Sequence, residues 1–262
     1  MSSHVNHQKD IDRALFDRIA VEYGKKDILA SSRLARRYQL ERAVKPILKE
    51  RKNLGTLIDL GCGIGAPAKY LSGKYEKYIG LDYSEKMVEA GKIFHSGNTK
   101  VDFFPQDVTN IQLPENSADV VLGVGILHHI PMAELDKTLQ SARTVVKSGG
   151  FLVFIEPQRG NPLIQATRWL RSRVDASYSS DQHFFSKKEL ADLLDRNGFT
   201  DYQLEFQGFF SKPLAQVALR PQWLATPISW KMVMIDKVLD RFLPWPLRLL
   251  SWDIIVRARV FK

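Results

Sequence analysis

Between Leu57 and Gly65 the chain reads Leu57-Ile58-Asp59-Leu60-Gly61-Cys62-Gly63-Ile64-Gly65, an apolar run that opens directly into glycines. The apolar run predicts a buried strand, and the segment after it, 66–70, suits the first turn of a helix. Glycines at such a turn let the backbone bend tightly and approach a ligand without side-chain collision. The stretch therefore predicts a ligand site where the first strand meets the first helix of a sheet.

Short apolar runs with turn signals behind them recur on both sides of this stretch. They predict strands at Thr56–Leu60, Tyr78–Leu81, Val101–Phe104, Ala118–Leu122, Phe151–Ile155, Phe199–Phe206 and Trp252–Val260. Segments of helical length and period lie between them, notably 84–94 and 132–147. Strands that alternate with helices predict an α/β protein with a Rossmann-like, doubly wound, mostly parallel seven-stranded sheet.

The same patterns divide the chain into segments of one domain, 1–262. We expect N-terminal lid helices in 10–50, with Pro46 as a candidate break, and a cofactor-binding core in 54–208. A helical insertion on the acceptor side should occupy 209–251, and the last strand, 252–262, is expected at the sheet edge because its end alternates apolar and basic residues. Ser186 should cap a helix that ends at Asn197 and Gly198.

Acidic residues follow the predicted strands at three places. Asp59, two residues before the first glycine, would attract a cationic amino acid and repel a pyrophosphate. Asp82 closes the second strand, where an acidic side chain accepts hydrogen bonds from ribose hydroxyls. Asp107 follows the third strand, placed to accept from an adenine amino group while Val108 supplies a backbone N–H and apolar contact. The dinucleotide fingerprint of nicotinamide and flavin enzymes is also matched, by Gly61, Gly63 and Ala66. The choice of a different nucleoside cofactor therefore depends on Asp59 and Asp107.

With these acids and glycines in register, the chain resembles the class I S-adenosylmethionine-dependent methyltransferases of the small-molecule and lipid type. The resemblance covers about 16–206 and includes the later segments 113–121, 125–130 and 146–150. It implies S-adenosyl-L-methionine as the cofactor and methyl transfer as the reaction. The residues and the resemblance together predict these cofactor contacts: Tyr23 from a lid helix, then Asp59, Gly61, Cys62, Gly63, Asp82, Tyr83, Met87, Asp107, Val108, Val124 and Gly125.

Two adjacent histidines follow the fourth predicted strand. His128 and His129 lie at the rim where open α/β sheets bind substrates, and the ordinary pKa of histidine suits a general base. The resemblance also implies another role for the pair, as a packing element at a helix entry. Methyl transfer is an in-line displacement on a carbon activated by its sulfonium, so positioning provides much of the rate and neither a metal nor a covalent nucleophile is required. His128 and His129 are thus candidate catalytic residues, whereas Glu156 and His183 are expected to be structural.

The predicted insertion concentrates tryptophans, at positions 223, 230 and 245. Thr226 as N-cap and Pro227 at the first helical position predict an amphipathic helix to residue 242, with an apolar stripe of Ile228, Met232, Ile235, Leu239 and Phe242. Two roles of this helix stay open. In the first, the stripe packs on the domain and covers the acceptor site. In the second, the helix lies on anionic lipid through its tryptophans and the cations Lys231, Lys237, Arg241 and Arg248.

Composition narrows the partners and the compartment. A formal charge of +9 suits nucleic acid, an anionic membrane or an acidic small molecule. The loop 123–126 lacks the Asn/Asp-Pro-Pro-aromatic element used on exocyclic base amines, so no specific nucleic acid is expected; an RNA methyltransferase and a noncatalytic S-adenosylmethionine-binding protein remain the alternatives. A polar start and the single cysteine, Cys62, indicate a cytoplasmic protein, with peripheral contact at the inner membrane face left open. A small-molecule or lipid acceptor is expected, and its identity and the oligomeric state stay open.

Overall fold

The computed structural model describes residues 9–11, 13–20, 24, 28–174, 182–212 and 220–262, and Tyr23 therefore lies outside the described residues. The helices are α1 (Ala30–Arg51), α2 (Ala66–Tyr70), α3 (Glu85–Phe94), α4 (Leu135–Val145), α5 (Pro162–Val174), α6 (Lys187–Arg196) and α7 (Gln222–Phe242). The strands are β1 (Thr56–Leu60), β2 (Lys77–Asp82), β3 (Val101–Pro105), β4 (Ala118–Val124), β5 (Val146–Pro157), β6 (Tyr202–Gln207) and β7 (Asp253–Arg259). Short 3-10 turns lie at Leu127–His129, Met132–Glu134 and Leu247–Leu250, and residues 9–11 and 13–20 are also helical.

The strands form a seven-stranded sheet in the order β3-β2-β1-β4-β5-β7-β6. Strands β1 to β5 pair in parallel, and β7 runs antiparallel to both β5 and β6. The predicted Rossmann-like, mostly parallel sheet is confirmed. The edge position predicted for the last strand is wrong, because β7 lies between two strands. Its Arg257 is buried, with Nε donating to the Ala43 carbonyl and Nη1 to Glu205, so this basic residue of the strand is paired inside the protein.

Helices cover both faces of the sheet because the buried strands carry apolar side chains on both sides. Helices α4 and α6 pack on one face, over Ile58, Val121 and Phe154. Helices α1, α2 and α3 pack on the other face, over Leu57, Val120 and other apolar side chains. Within the described residues, none of the helices has the length and apolarity needed to cross a bilayer.

Two helices continue past prolines that the sequence marks as boundaries. Helix α1 runs through Pro46 without a break, because Ala43, Val44 and Ile47 around it are buried against the sheet and tertiary packing offsets the lost hydrogen bond. Helix α7 begins at Gln222, so Thr226 and Pro227 lie inside it and the predicted N-cap is wrong. By contrast, the predicted Ser186 cap is confirmed as a capping box with Glu189.

The buried face of α7 also differs from the predicted stripe. The side chains that face inward are Ala225, Ser229, Val233, Asp236 and Asp240, whereas Ile228 and Ile235 are each 41% exposed and Phe242 is 68% exposed. The apolar period misses the buried face because hydrogen bonds, and not apolar contacts, hold most of it. Ser229 Oγ donates to the Ser31 carbonyl of α1 over 2.6 Å.

Two aspartates attach α7 to the turn that follows β6. Asp236 accepts from the backbone N–H groups of Phe209, Phe210 and Ser211 at 3.1, 2.9 and 3.0 Å. Asp240 accepts from the Gly208 N–H at 3.0 Å. Because β6 is parallel to β5, this turn lies at the carboxyl edge of the parallel strands, and α7 is therefore anchored at the edge where open α/β sheets bind ligands.

Candidate active site

The turn between β1 and α2 has the backbone conformation that its glycines allow. Gly61 has a φ of 64°, and a Cβ there would lie 2.5 Å from Ile126 Cδ1, so a larger residue would displace the Ile126 side chain. Gly63 has a φ of 53°, but a Cβ there would meet nothing within 4 Å. Gly63 thus borders open space, and the turn forms a cradle into which another molecule can fit.

Asp82 links this turn to the end of β2. Its Oδ2 accepts from the Gly63 N–H at 2.8 Å and its Oδ1 from the Ser84 N–H at 2.9 Å. Burial raises the pKa of Asp82, and the two backbone donors oppose that rise. The carboxylate therefore holds the glycine turn in place as well as bordering the open space. The sequence indicated only the second of these roles.

One cavity at the carboxyl edge of the sheet brings together most of the predicted cofactor residues. Its walls include Gly61, Gly63, Asp82, Tyr83, Met87, Asp107, Val108, Val124 and Gly125, together with His129. These residues come from four different strand ends, and only the parallel sheet places them side by side. We call this space the cofactor cavity.

A second cavity shares Gly61 and Gly63 with the first and is lined by the two remaining described members of the predicted set, Asp59 and Cys62. Asp59 is buried and accepts a hydrogen bond from Tyr78 Oη at 2.5 Å; burial raises the pKa of Asp59 to about 7. Burial also raises the pKa of the Cys62 thiol, which disfavours the thiolate that a nucleophile needs. Arg36 and Gln39 of α1 line this cavity too. Neither residue is among the contacts predicted from the sequence, because the period of α1 indicates a helix but not which of its residues reach a ligand.

The helical residues 9–11 and 13–20, here called the lid helix, cover the cofactor cavity. Lys9 Nζ lies 2.9 Å from Asp107 Oδ2 and also pairs with Glu134. The Arg13 guanidinium lies over the Tyr83 ring at 5.1 Å. These cations were not among the predicted site residues, since Lys9 and Arg13 sit before the region that the sequence resemblance covers. Lys9 is therefore paired with Asp107, the carboxylate that we expected to face adenine.

The pKa of Asp107 reflects that cation. Burial would raise the pKa of Asp107, but hydrogen bonds from Lys9 and Thr109 hold it below its ordinary value. Burial would lower the pKa of Lys9, but its hydrogen bonds to Glu134 and Asp107 raise it above its ordinary value. Both groups are therefore charged at neutral pH, and a ligand at Asp107 must compete with Lys9 or bind beside it.

The structure separates the roles of the two candidate histidines. His129 lines the cofactor cavity, and the Phe16 ring of the lid helix meets it edge-on at 5.3 Å. His128 is turned toward Glu156, with its Nδ1 2.8 Å from Glu156 Oε2. The two imidazoles remain in contact, with ring centroids 4.2 Å apart.

Glu156, at the end of β5, fixes the loop that carries the two histidines. It is fully buried, and its Oε1 accepts from the backbone N–H groups of Ile126 and Leu127 at 2.9 and 2.8 Å. Burial raises the pKa of Glu156 to about 7 against these hydrogen bonds. Its structural role agrees with the expectation from sequence, as does that of His183, whose Nε2 lies 3.1 Å from the capping residue Glu189.

The residues present fit S-adenosylmethionine. Gly63 offers a cradle beside open space, Asp82 presents a carboxylate to it, and Met87 and Val108 supply apolar walls for an adenine ring. In the second cavity, the buried carboxyl of Asp59 suits an ammonium group. An Arg guanidinium such as that of Arg36 pairs well with a carboxylate, so the second cavity has the chemistry for the amino-acid end.

Comparison with known proteins agrees with this geometry. Residues 32–204 match a family model described as a methyltransferase domain. An uncharacterized chloroplastic methyltransferase of Arabidopsis thaliana is 30% identical over 60% of this chain and 45% of its own length. The demethylmenaquinone methyltransferase of Clavibacter sepedonicus is 29% identical over 55% of this chain and 56% of its own length. The chain thus spans about half the length of these curated relatives. A solved SAM-dependent methyltransferase from Thermotoga maritima has the same fold, with a TM-score of 0.64 at 21% identity, over 94% of this chain and 98% of that one.

Proposed function

The chain belongs to the methyltransferase domain family, and from this premise we propose that it transfers a methyl group from S-adenosylmethionine to an apolar, lipid-dissolved aromatic acceptor of the quinol class. The methyl donor in this proposal is supported by the cofactor cavity. Its walls come from the ends of β1, β2, β3 and β4, and they bring Gly63, Asp82, Asp107 and Val108 around one space.

The cavity wall and the names of the relatives both favour an acceptor of the quinol class. Part of the cavity wall is apolar and is formed by Phe16, Ile126, Ile130 and Pro131. Matched relatives are named demethylmenaquinone methyltransferase, ubiquinone biosynthesis O-methyltransferase in Nitrosomonas europaea, and 2-methyl-6-phytyl-1,4-hydroquinone methyltransferase in Synechocystis. A flat aromatic ring on an apolar tail suits such a wall, because apolar surface is removed from water as it binds.

Within this proposal His129 accepts the proton that the acceptor loses. The bound cofactor supplies a methyl group on a positively charged sulfur, so the protein has to position the acceptor and accept its proton. His129 is the candidate that lines the cofactor cavity, next to Gly125 and Ile126. His128 acts through its neighbour: Glu156 fixes its ring at Nδ1, and that ring packs against His129.

An RNA acceptor is the rival, because one matched relative is named a tRNA N(3)-methylcytidine methyltransferase in Drosophila melanogaster, at 23% identity. The test is incubation with methyl-labelled S-adenosylmethionine and separate pools of reduced prenylated quinones in detergent, phospholipid, lipid-linked glycan and tRNA. We expect label in the quinol pool alone. Label in tRNA alone would overturn the acceptor class, and cofactor binding with no label in any pool would favour a noncatalytic binding protein.

Matched carboxylate variants make this test specific. Asp82→Ala removes a carboxylate from the cofactor cavity and should abolish labelling. Asp102→Ala removes an exposed carboxylate that pairs with Lys77 on the neighbouring strand, and it should leave labelling unchanged. Equal loss in both variants would mean that labelling reports folding and not the cavity.

A further inference from the structure

Helix α7 shows an unusual surface to solvent. Its exposed positions carry only apolar or cationic side chains: Trp223, Leu224, Pro227, Ile228, Trp230, Lys231, Met234, Ile235, Lys237, Val238, Arg241 and Phe242. We call this surface the α7 face. Trp223 is 77% exposed, although a tryptophan is among the most costly side chains to leave in water. A continuous apolar face of this kind marks an interaction site.

The charges of α7 are sorted by sign between its two sides. Both acids, Asp236 and Asp240, point inward and accept hydrogen bonds from the turn after β6. The cations Lys231, Lys237 and Arg241 all point outward. An anionic partner is therefore attracted to the α7 face without meeting a carboxylate on it.

The apolar surface continues past the end of α7. Trp245 is exposed, as are Leu247, Leu249 and Leu250 of the 3-10 turn that leads into β7. The Leu249 carbonyl accepts from Gln158 just after β5, so this turn is fixed at the carboxyl edge of the sheet. The α7 face and the 3-10 turn thus lie at the edge where the cofactor cavity opens.

We propose that the α7 face docks the protein on an anionic lipid bilayer, with the tryptophans at the headgroup level and the cations on lipid phosphates. Exposed tryptophans beside lysine and arginine suit the interface between lipid and water, where one part of the surface is apolar and the other charged. A second copy of the chain fits less well: a symmetric contact between two α7 faces would bring Lys231, Lys237 and Arg241 together with no acid on either face to pair them. Docking on a bilayer is a separate property from the choice of acceptor, and it does not depend on methyl transfer.

The test is sedimentation of the full chain with vesicles that contain neither cofactor nor quinone. Vesicles of phosphatidylcholine mixed with phosphatidylglycerol should bind the protein, and vesicles of phosphatidylcholine alone should bind it more weakly. Each cation near an anionic surface is worth roughly fivefold in binding, so the triple variant Lys231→Ala/Lys237→Ala/Arg241→Ala should lose about a hundredfold. Trp230→Ala should weaken binding to both kinds of vesicle, because it removes apolar contact and not charge.

Matched controls come from other exposed positions. Lys188→Ala on α6 and Ile93→Ala on α3 remove an exposed cation and an exposed apolar side chain away from the α7 face, and both should bind vesicles like the parent protein. Circular dichroism checks that each variant is folded. Absence of vesicle binding by the parent protein at low salt would overturn the proposal, as would equal binding by the triple variant. A dimer in sedimentation velocity that Trp230→Ala dissociates would assign the α7 face to a second copy and overturn it too. Since the vesicles lack an acceptor, failure here leaves the proposed methyl transfer untouched.

Discussion

Asparagine in place of Asp59 should make the unliganded protein more stable at alkaline pH and should weaken cofactor binding. Burial raises the pKa of Asp59 from 3.8 to about 7, and Tyr78 Oη is its hydrogen-bond donor. The folded state therefore holds a proton that the unfolded state releases, so stability falls as the pH rises from the unfolded value through about 7. A rise of about three pKa units corresponds to about 4 kcal/mol of lost stability above that range.

The variant should recover this free energy because asparagine is a neutral replacement of similar shape. We expect a gain of up to about 4 kcal/mol at about pH 8 and of about 2 kcal/mol at about pH 5, where the folded carboxyl is already protonated. Urea unfolding at the two pH values measures both gains. Tyr78→Phe is the control: it removes the hydrogen bond that lowers the pKa of Asp59, so its stability loss should extend to higher pH.

Calorimetry with S-adenosylmethionine completes the test of Asp59. The affinity of the unmutated protein for S-adenosylmethionine should rise with pH up to about 7, because the ammonium group of the cofactor binds the ionised carboxylate of Asp59. The variant should show no such rise and should bind more weakly above that pH by about 1.5 to 3 kcal/mol, the contribution of a hydrogen bond to a charged group. A variant less stable than the parent at both pH values would refute the reasoning, because it would show that Asp59 is held as a stabilised carboxylate.

Three further outcomes are expected. Asp82→Ala should weaken cofactor binding by about 1.5 to 3 kcal/mol for each charged hydrogen bond lost, measured by calorimetry, and unchanged affinity would remove Asp82 from the site. His129→Ala should lower kcat about 10² to 10⁴-fold with little change in cofactor affinity, and His128→Ala should act less; equal effects on kcat in both variants would contradict the separate roles. Ile235→Ala, at a partly exposed position, should change the free energy of unfolding by less than about 1 kcal/mol, whereas Val233→Ala on the buried side should cost more; the reverse order in chemical denaturation would show that the predicted stripe is the buried one.

The sequence by itself was enough to predict the fold class and most of the residues that line the cofactor cavity. Parallel strands that are buried on both faces read as continuous apolar runs, so β1 was predicted at its observed bounds and the others within a few residues. The predicted acids and glycines follow strand ends. Since the carboxyl ends of parallel strands meet at one edge, strand order alone brings Gly63, Asp82 and Asp107 to one cavity.

Contacts between segments far apart in sequence needed the tertiary structure. The two histidines are neighbours in sequence with the same chemistry, and only the buried Glu156, fixed by β5, turns His128 away and leaves His129 on the cavity. Lys9 of the lid helix reaches Asp107 across a sequence separation that no local pattern encodes.

The sequence also could not predict which face of a helix is buried where hydrogen bonds hold that face. Hydrophobic period marks a buried face only where apolar contacts hold it, and α7 is held by Ser229, Asp236 and Asp240 against α1 and the turn after β6. Three residues of the stripe that period assigned to the interior, Ile228, Ile235 and Phe242, therefore face solvent. In the same way, β7 looked like an edge strand because its arginines suggest water, yet Arg257 finds its partners inside. Local chemistry determined which elements form and which residues follow the strand ends, and the pairing of distant polar groups decided which faces those elements bury.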